Sequence, residues 1–146
     1  MSTKPLSGTE ITITNGDVLS ALLALSEVKP TNALGSVKLG RLRKALSAEA
    51  EPVIAAFDEM GQKYAKKDAD GTPEVAKNEA GESFAWKVTG TPMYVLADDA
   101  GFAAENASLA AAEVTIRVPL LTELDLSHMT VGNDVGLALL PFVDGI

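Results

Sequence analysis

With 146 residues, 47% of them hydrophobic and 22% charged, the chain has the make-up of an ordinary globular protein, long enough to bury a core without covalent staples. The absence of cysteine excludes disulfides, thiolate metal sites and cysteine nucleophiles, and a single histidine, His128, excludes any site that needs two imidazoles. A formal charge of −8 opposes binding to nucleic acid and to anionic lipid, so no direct nucleic-acid partner and no membrane partner are expected.

Residues 1–9 are small and polar, include Pro5 and Gly8, and read as an extended arm preceding a single α+β domain over residues 10–146. Glu10–Thr14 has the alternation of a short strand, with Ile11 and Ile13 on one side. Asn15-Gly16-Asp17 offers an N-cap for a helix from about Val18 to Val28, whose face is drawn through Leu19, Leu22, Leu23 and Ser26 with Leu25 off the stripe. Lys29-Pro30 ends it, because proline pushes its predecessor out of the helical region.

The strongest periodicity follows. Leu39, Leu42, Leu46, Val53, Phe57, Met60 and Tyr64 fall on one side of a helical wheel, opposite Lys38, Arg41, Lys44, Asp58, Glu59, Lys63 and Lys66. That pattern predicts an amphipathic helix of some 30 residues, on the order of 45 Å long, with a kink or short break between Ala48 and Pro52. If the helix already includes Leu34 and Val37, these two lie away from the core stripe and beside Lys38 and Arg41. If Asn32–Ser36 is loop, the wheel does not apply to them.

Asp68–Pro73 and Asn78–Gly81 are turn clusters. Glu74–Ala76 and Ser83–Val88 read as hairpin arms, the second with Phe84, Trp86 and Val88 alternating as in a half-buried strand. Met93–Leu96 is extended, and Asp98-Asp99 caps a short alanine-rich helix reaching Leu109 or Ala112. Val114–Val118 is a strong strand expected to pair with Glu10–Thr14. Leu124–Leu126 and Met129–Val131 read as extended, and Gly132-Asn133 as the cap of a last helix, Asp134–Leu140. No internal repeat is discerned. The fold expected is a helical hairpin with one long kinked helix, packed on a small antiparallel sheet of Glu10–Thr14, the Glu74–Val88 hairpin and Val114–Val118.

Little in the chain points to chemistry. Asp68-Ala-Asp70-Gly71 resembles a calcium loop, but the first and twelfth positions would be Lys66 and Lys77, where carboxylates are required. Asp98 and Asp99 are explained by the helix dipole. His128 has no sequence-adjacent acid or serine, and no glycine-rich phosphate loop occurs. No catalytic residue, metal or cofactor is expected. Lys38, Arg41, Arg43 and Lys44 form one basic patch without aromatics to stack bases. With Leu34 and Val37, the residues Lys38, Arg41 and Lys44 make a candidate interface with an apolar centre and a charged rim. Charge is uneven along the chain: the balance is +2 over residues 1–67, −3 over 68–88 and −7 over 89–146.

The order of these features resembles a family of small tailed-bacteriophage proteins known only as a domain of unknown function. The resemblance rests on the Tyr64-x-x-Lys67-Asp68-x-Asp70-Gly71-x-Pro73 turn after a long helix, the Asn78-Glu-x-Gly81 turn, and the Glu113-Val-x-Ile116 strand before a final helix. It implies a phage context and no catalytic residues. A head, neck or tail component working through contacts with other phage proteins is the first expectation, made in the host cytoplasm and then carried in the virion. The alternative is an acidic host-takeover or anti-defence protein that inhibits a bacterial host protein.

Overall fold

A computed structural model describes residues 8–86 and 89–144 of the chain. The protein is α+β: a long helix packs on a small two-stranded antiparallel sheet, and a second small sheet is present. Contacts gather into two compact units. One comprises the residues up to Ala50 together with those from Glu113 onward, the other Glu51–Ala112. The expected arm over residues 1–9 lies outside the described residues except for Gly8 and Thr9.

In the first unit, strand β1 (Thr9–Thr14) pairs antiparallel with β3 (Glu113–Val118), in a register that sets Ile11 opposite Ile116 and Ile13 opposite Val114. This is the pairing expected from their shared Thr/Ile texture. The inward face carries Ile13, Ile116 and Val118, all buried. On the outer face the Thr12 and Thr115 hydroxyls hydrogen-bond at 2.9 Å, and Arg117 reaches Glu10 at 3.3 Å. The second sheet joins β2 (Lys29–Pro30) to β4 (Met129–Thr130). Of the expected Glu74–Val88 hairpin, the described residues 74–86 join neither sheet, contrary to expectation.

Helix α1 (Asn15–Glu27) begins three residues earlier than expected. Thr14 and Asp17 form a reciprocal capping box, so Thr14, not Asn15, is the N-cap. The buried face is also corrected: it runs through Val18, Ala21, Leu22, Ala24 and Leu25, whereas Leu23 is 45% exposed. The buried face includes two alanines as well as the larger side chains, and α1 packs against helix α5 (Asn133–Leu139).

Helix α2 (Ala33–Tyr64) runs without interruption through Pro52, so of the kink or short break expected there the break does not occur. Proline deletes the one N–H that would bond the Ala48 carbonyl. Ala48, Glu51 and Pro52 are all exposed, which lets water satisfy that carbonyl on the outer side of the helix. On the inner side Leu39, Leu42, Leu46 and Ala50 are almost wholly buried. Helix α4 (Glu123–Leu126) replaces the extended piece expected there, because Thr122 and Asp125 form a second capping box.

The second unit holds the C-terminal part of α2, helix α3 (Asp99–Ala111) and the chain between them. Asp98 accepts the Gly101 amide as the N-cap of α3, as expected. Between Ala65 and Ala97 the chain forms single bridges in place of a hairpin ladder: Lys67 with Pro73, Val75 with Tyr94, Lys77 with Ser83, Ala85 with Pro92, and Ala65 with Leu96. After each bridge the segment changes partner. Lys66 N–H donates to Val95 O (2.7 Å), Val95 N–H to Glu74 O (2.9 Å) and Glu74 N–H to Lys66 O (2.8 Å), closing a ring of three. A second ring joins Ala76 to Met93 (2.8 Å), Met93 to Phe84 (3.1 Å) and Phe84 back to Ala76 (2.9 Å).

This arrangement has a repeat that the sequence reading passed over. Lys67-Asp68-x-x-Gly71 recurs as Lys77-Asn78-x-x-Gly81, and Gly71-Thr72-Pro73 recurs as Gly90-Thr91-Pro92. Gly71, Gly81 and Gly90 all turn with positive φ, at 81°, 82° and 71°, a region open to glycine at little steric cost. Asp68 and Asn78 each accept the backbone N–H four residues ahead, in matching Asx-stabilised turns.

Leu46→Ala should cost about 2–5 kcal/mol, since it empties a fully buried position. Phe57 is only half-buried, so Phe57→Ala should cost less. Urea denaturation of the two variants checks the order.

Candidate interaction surface

The face singled out in the sequence is built on the first three turns of α2. Asn32 caps the helix by accepting the Gly35 N–H on its Oδ1 at 2.9 Å, and Ser36 N–H closes on Asn32 O at 3.1 Å. Helical geometry therefore holds from Ala33, and the loop alternative for Asn32–Ser36 is discarded. Leu34 is 48% exposed and Val37 49% exposed. Arg41 and Lys44 are exposed on the same side, since positions three and four apart share a helix face.

Two members of the basic patch are otherwise engaged. Lys38 is half-buried, with its Nζ 3.9 Å from the carboxylate of Asp125. Arg43 turns inward: its guanidinium donates to the carbonyls of Leu25 and Val28, the latter at 3.1 Å. Helix α1 has no basic residue in its own last turn, so Arg43 supplies from α2 the cation that a helix C-terminus favours. The basic side chains left on this surface are Arg41 and Lys44, with Lys38 at its edge.

Further large apolar side chains are exposed in the first unit at Leu23, Leu124, Leu137 and Leu140. In the second unit Phe84 is 46% and Trp86 53% exposed, correcting their expected place in a half-buried strand. The reason is the ring pairing: Phe84 sends its N–H to one neighbour and receives a donor from another. Both backbone groups of Phe84 are thus taken up by the triangle and not by a strand ladder. Val88, the third member of that alternation, lies outside the described residues.

The second unit also has a groove of about 590 Å³ between its part of α2 and α3, lined by Ala56, Met60 and Leu109 and by the ion pair Lys63–Glu105. Lys63 Nζ sits 2.8 Å from Glu105 Oε1, and the Tyr64 hydroxyl donates to the same oxygen at 3.1 Å. The Lys63 hydrogen bond holds the Glu105 carboxyl below the ordinary carboxylate range, and the same contact raises the Lys63 ammonium above its own. Tyr64 meets Phe102 edge to face at 6.4 Å. The Tyr94 phenol is raised by burial and then by its hydrogen bond to Asp58, at 2.9 Å. Its ring rests where Gly61 has no Cβ: an added one would lie 2.8 Å from the ring.

His128 Nδ1 faces Asn32 Nδ2 at 2.8 Å, and among the described residues no group of three potential metal ligands converges. Asp98 and Asp99 sit at the start of α3, where the Asp98 carboxylate accepts the Gly101 N–H. Among the described residues no helix is long and apolar enough to cross a membrane. Neither the Asn32–His128 pair nor the buried carboxylate of Asp125 was expected from the sequence. The Thr-x-x-Asp spacing at Thr122 was the available signal for Asp125; nothing local signals the other two. In comparison with known proteins, no family model, no curated protein and no solved structure matches the chain.

Two predictions follow from these contacts. Arg43→Met keeps the aliphatic stem but removes the guanidinium bonds to the Leu25 and Val28 carbonyls, leaving Leu25 O with only the Val28 N–H at 3.4 Å. It should destabilise the protein by about 1–3 kcal/mol, with faster amide exchange at the end of α1. For the Lys63–Glu105 pair, the lowered carboxyl contributes stability above the carboxylate range that is lost as pH falls through its titration. The raised ammonium contributes below the ordinary lysine range and is lost as pH rises through its own. Replacing Lys63 with methionine should move the Glu105 midpoint upward, as followed by carboxyl carbon NMR.

Proposed function

We propose that this chain is a non-enzymatic structural or assembly protein of a tailed bacteriophage, a head, neck or tail component acting through contacts with other phage proteins or further copies of itself. The observation that carries the protein-contact reading is the exposed pair Leu34 and Val37 beside Arg41 and Lys44, on a helix whose opposite side is buried. An apolar centre with a charged rim is the common anatomy of a protein interface. The phage context rests on the order of turns from Tyr64 to Pro73 and from Asn78 to Gly81. Synthesis in the host cytoplasm and incorporation into the virion belong to the same reading.

A second reading, an acidic inhibitor of a bacterial host protein, is favoured by the eight carboxylates set against Arg117 alone from residue 89 onward. Two features weigh against it. Those carboxylates are spread along the chain, and Asp125 is buried in a cap.

Under the assembly reading, Leu34→Asp combined with Val37→Asp abolishes association with phage proteins while the melting temperature stays unchanged. Light scattering reads the self-association, and peptide mass spectrometry of purified particles reads incorporation. A strict monomer that is absent from particles and from their assembly intermediates would overturn the proposal. Capture of a bacterial protein that survives the double substitution would favour the second reading.

A further inference from the structure

Asn32 and His128 are the paired side chains at the start of α2, and their hydrogen bonds admit a single protonation state. The Gly35 N–H can only donate, so the atom of Asn32 that receives it, at 2.9 Å, is Oδ1. The Nδ2 that remains can also only donate, and it lies 2.8 Å from His128 Nδ1. That nitrogen must therefore accept, which places the ring proton on Nε2 of a neutral imidazole.

The backbone around the ring locks this geometry. His128 O accepts the Thr31 N–H at 2.8 Å, and the β2–β4 pairing of Pro30 with Met129 sits beside it. Gly35 makes the close approach possible, because a Cβ there would run into the His128 carbonyl oxygen.

We propose that the Asn32–His128 pair is a proton-operated clasp on the N-terminus of α2, closed when the ring is neutral and opened when it is protonated. Protonation turns Nδ1 from an acceptor into a donor facing the donor Nδ2. Turning the Asn32 amide over would satisfy the ring but would present NH₂ to the Gly35 N–H. One of the two bonds must be lost. The charged groups around the ring do not compensate. The first turn of α2 holds no acidic residue, and its helix dipole is positive at that end. Lys29 on β2 and Lys38 on α2 are cations. On α4, Glu123 is exposed, and the Asp125 carboxylate already accepts the Thr122 N–H at 3.0 Å and pairs with Lys38. Opening releases the cap of the turn that carries Leu34. The clasp does not depend on what that turn binds, and it is tested on the chain alone.

The experiment is NMR of the intact chain from pH 8 to pH 5, a span that brackets ordinary imidazole titration. Ring nitrogen shifts at pH 8 should show the Nε2–H tautomer. The protection factor of the Gly35 amide, corrected for intrinsic exchange, should fall about fivefold on acidification, the scale of a lost N-cap. His128→Gln offers an amide oxygen that does not titrate and should remove the pH dependence. Asn32→Asp, which can cap Gly35 and also accept from a protonated ring, should reverse its sign. A proton on Nδ1 of the neutral ring, a Gly35 protection factor that is constant across the range, or an equal fall in His128→Gln would each overturn the proposal.

Discussion

The last carbonyls of α1 depend on a side chain from another helix. Their own turn contains no cation, and Arg43, eighteen residues beyond Leu25, reaches back to bond both Leu25 and Val28. A guanidinium is suited to this, since its planar fork can serve two acceptors at once. Because Val28 lies at the exit of α1 and Arg43 on the third turn of α2, the contact fixes the connection between the helices. The buried run of Leu39, Leu42 and Leu46 is set by the same restraint, with Arg43 adjacent to Leu42 in the chain.

Caps recur throughout as the device that sets boundaries. Thr14 with Asp17 and Thr122 with Asp125 form reciprocal boxes, Asp98 caps α3, and Asn32 caps α2. The first three use the spacing at which a short polar side chain meets the orphan amide of the next turn. The cap at Asn32 differs in taking a second partner from a distant segment. That partner, His128, is the chain's single histidine, so this helix start shares its cap with a side chain from the other end of the sequence. The exposed pair Leu34 and Val37 lies immediately downstream of it.

In the unit formed by Glu51–Ala112, order between α2 and α3 comes from the backbone more than from apolar burial. Three segments meet in closed rings of hydrogen bonds, each residue donating to one neighbour and accepting from another. Such a path bends at every residue pair, which explains why single bridges appear in place of a ladder and why three glycines with positive φ are needed at the turns. Phe84, spaced as for a half-buried strand, belongs to one of these rings and ends 46% exposed.

Much of the local structure was legible in the sequence. The α2 stripe, the β1–β3 pairing and the Asx turns at Asp68 and Asn78 follow from side-chain period and from hydrogen bonds within a few residues, which short-range pattern records. The ten-residue spacing of Lys67, Asp68 and Gly71 with Lys77, Asn78 and Gly81 was equally present, though its meaning lies in the rings it closes. What tertiary structure alone decided were the contacts between segments far apart in the chain. Leu25 rather than Leu23 is buried, a choice between two neighbouring leucines that the packing of α1 makes. Arg43 leaves the basic surface to bond the Leu25 carbonyl of α1 and the Val28 carbonyl just beyond its end. His128, unremarkable in its own neighbourhood, acquires a defined tautomer because Asn32 arrives from 96 residues away with its oxygen already taken. Periodicity reports which side of an element is apolar; it carries no information about which distant donor or acceptor will meet that side.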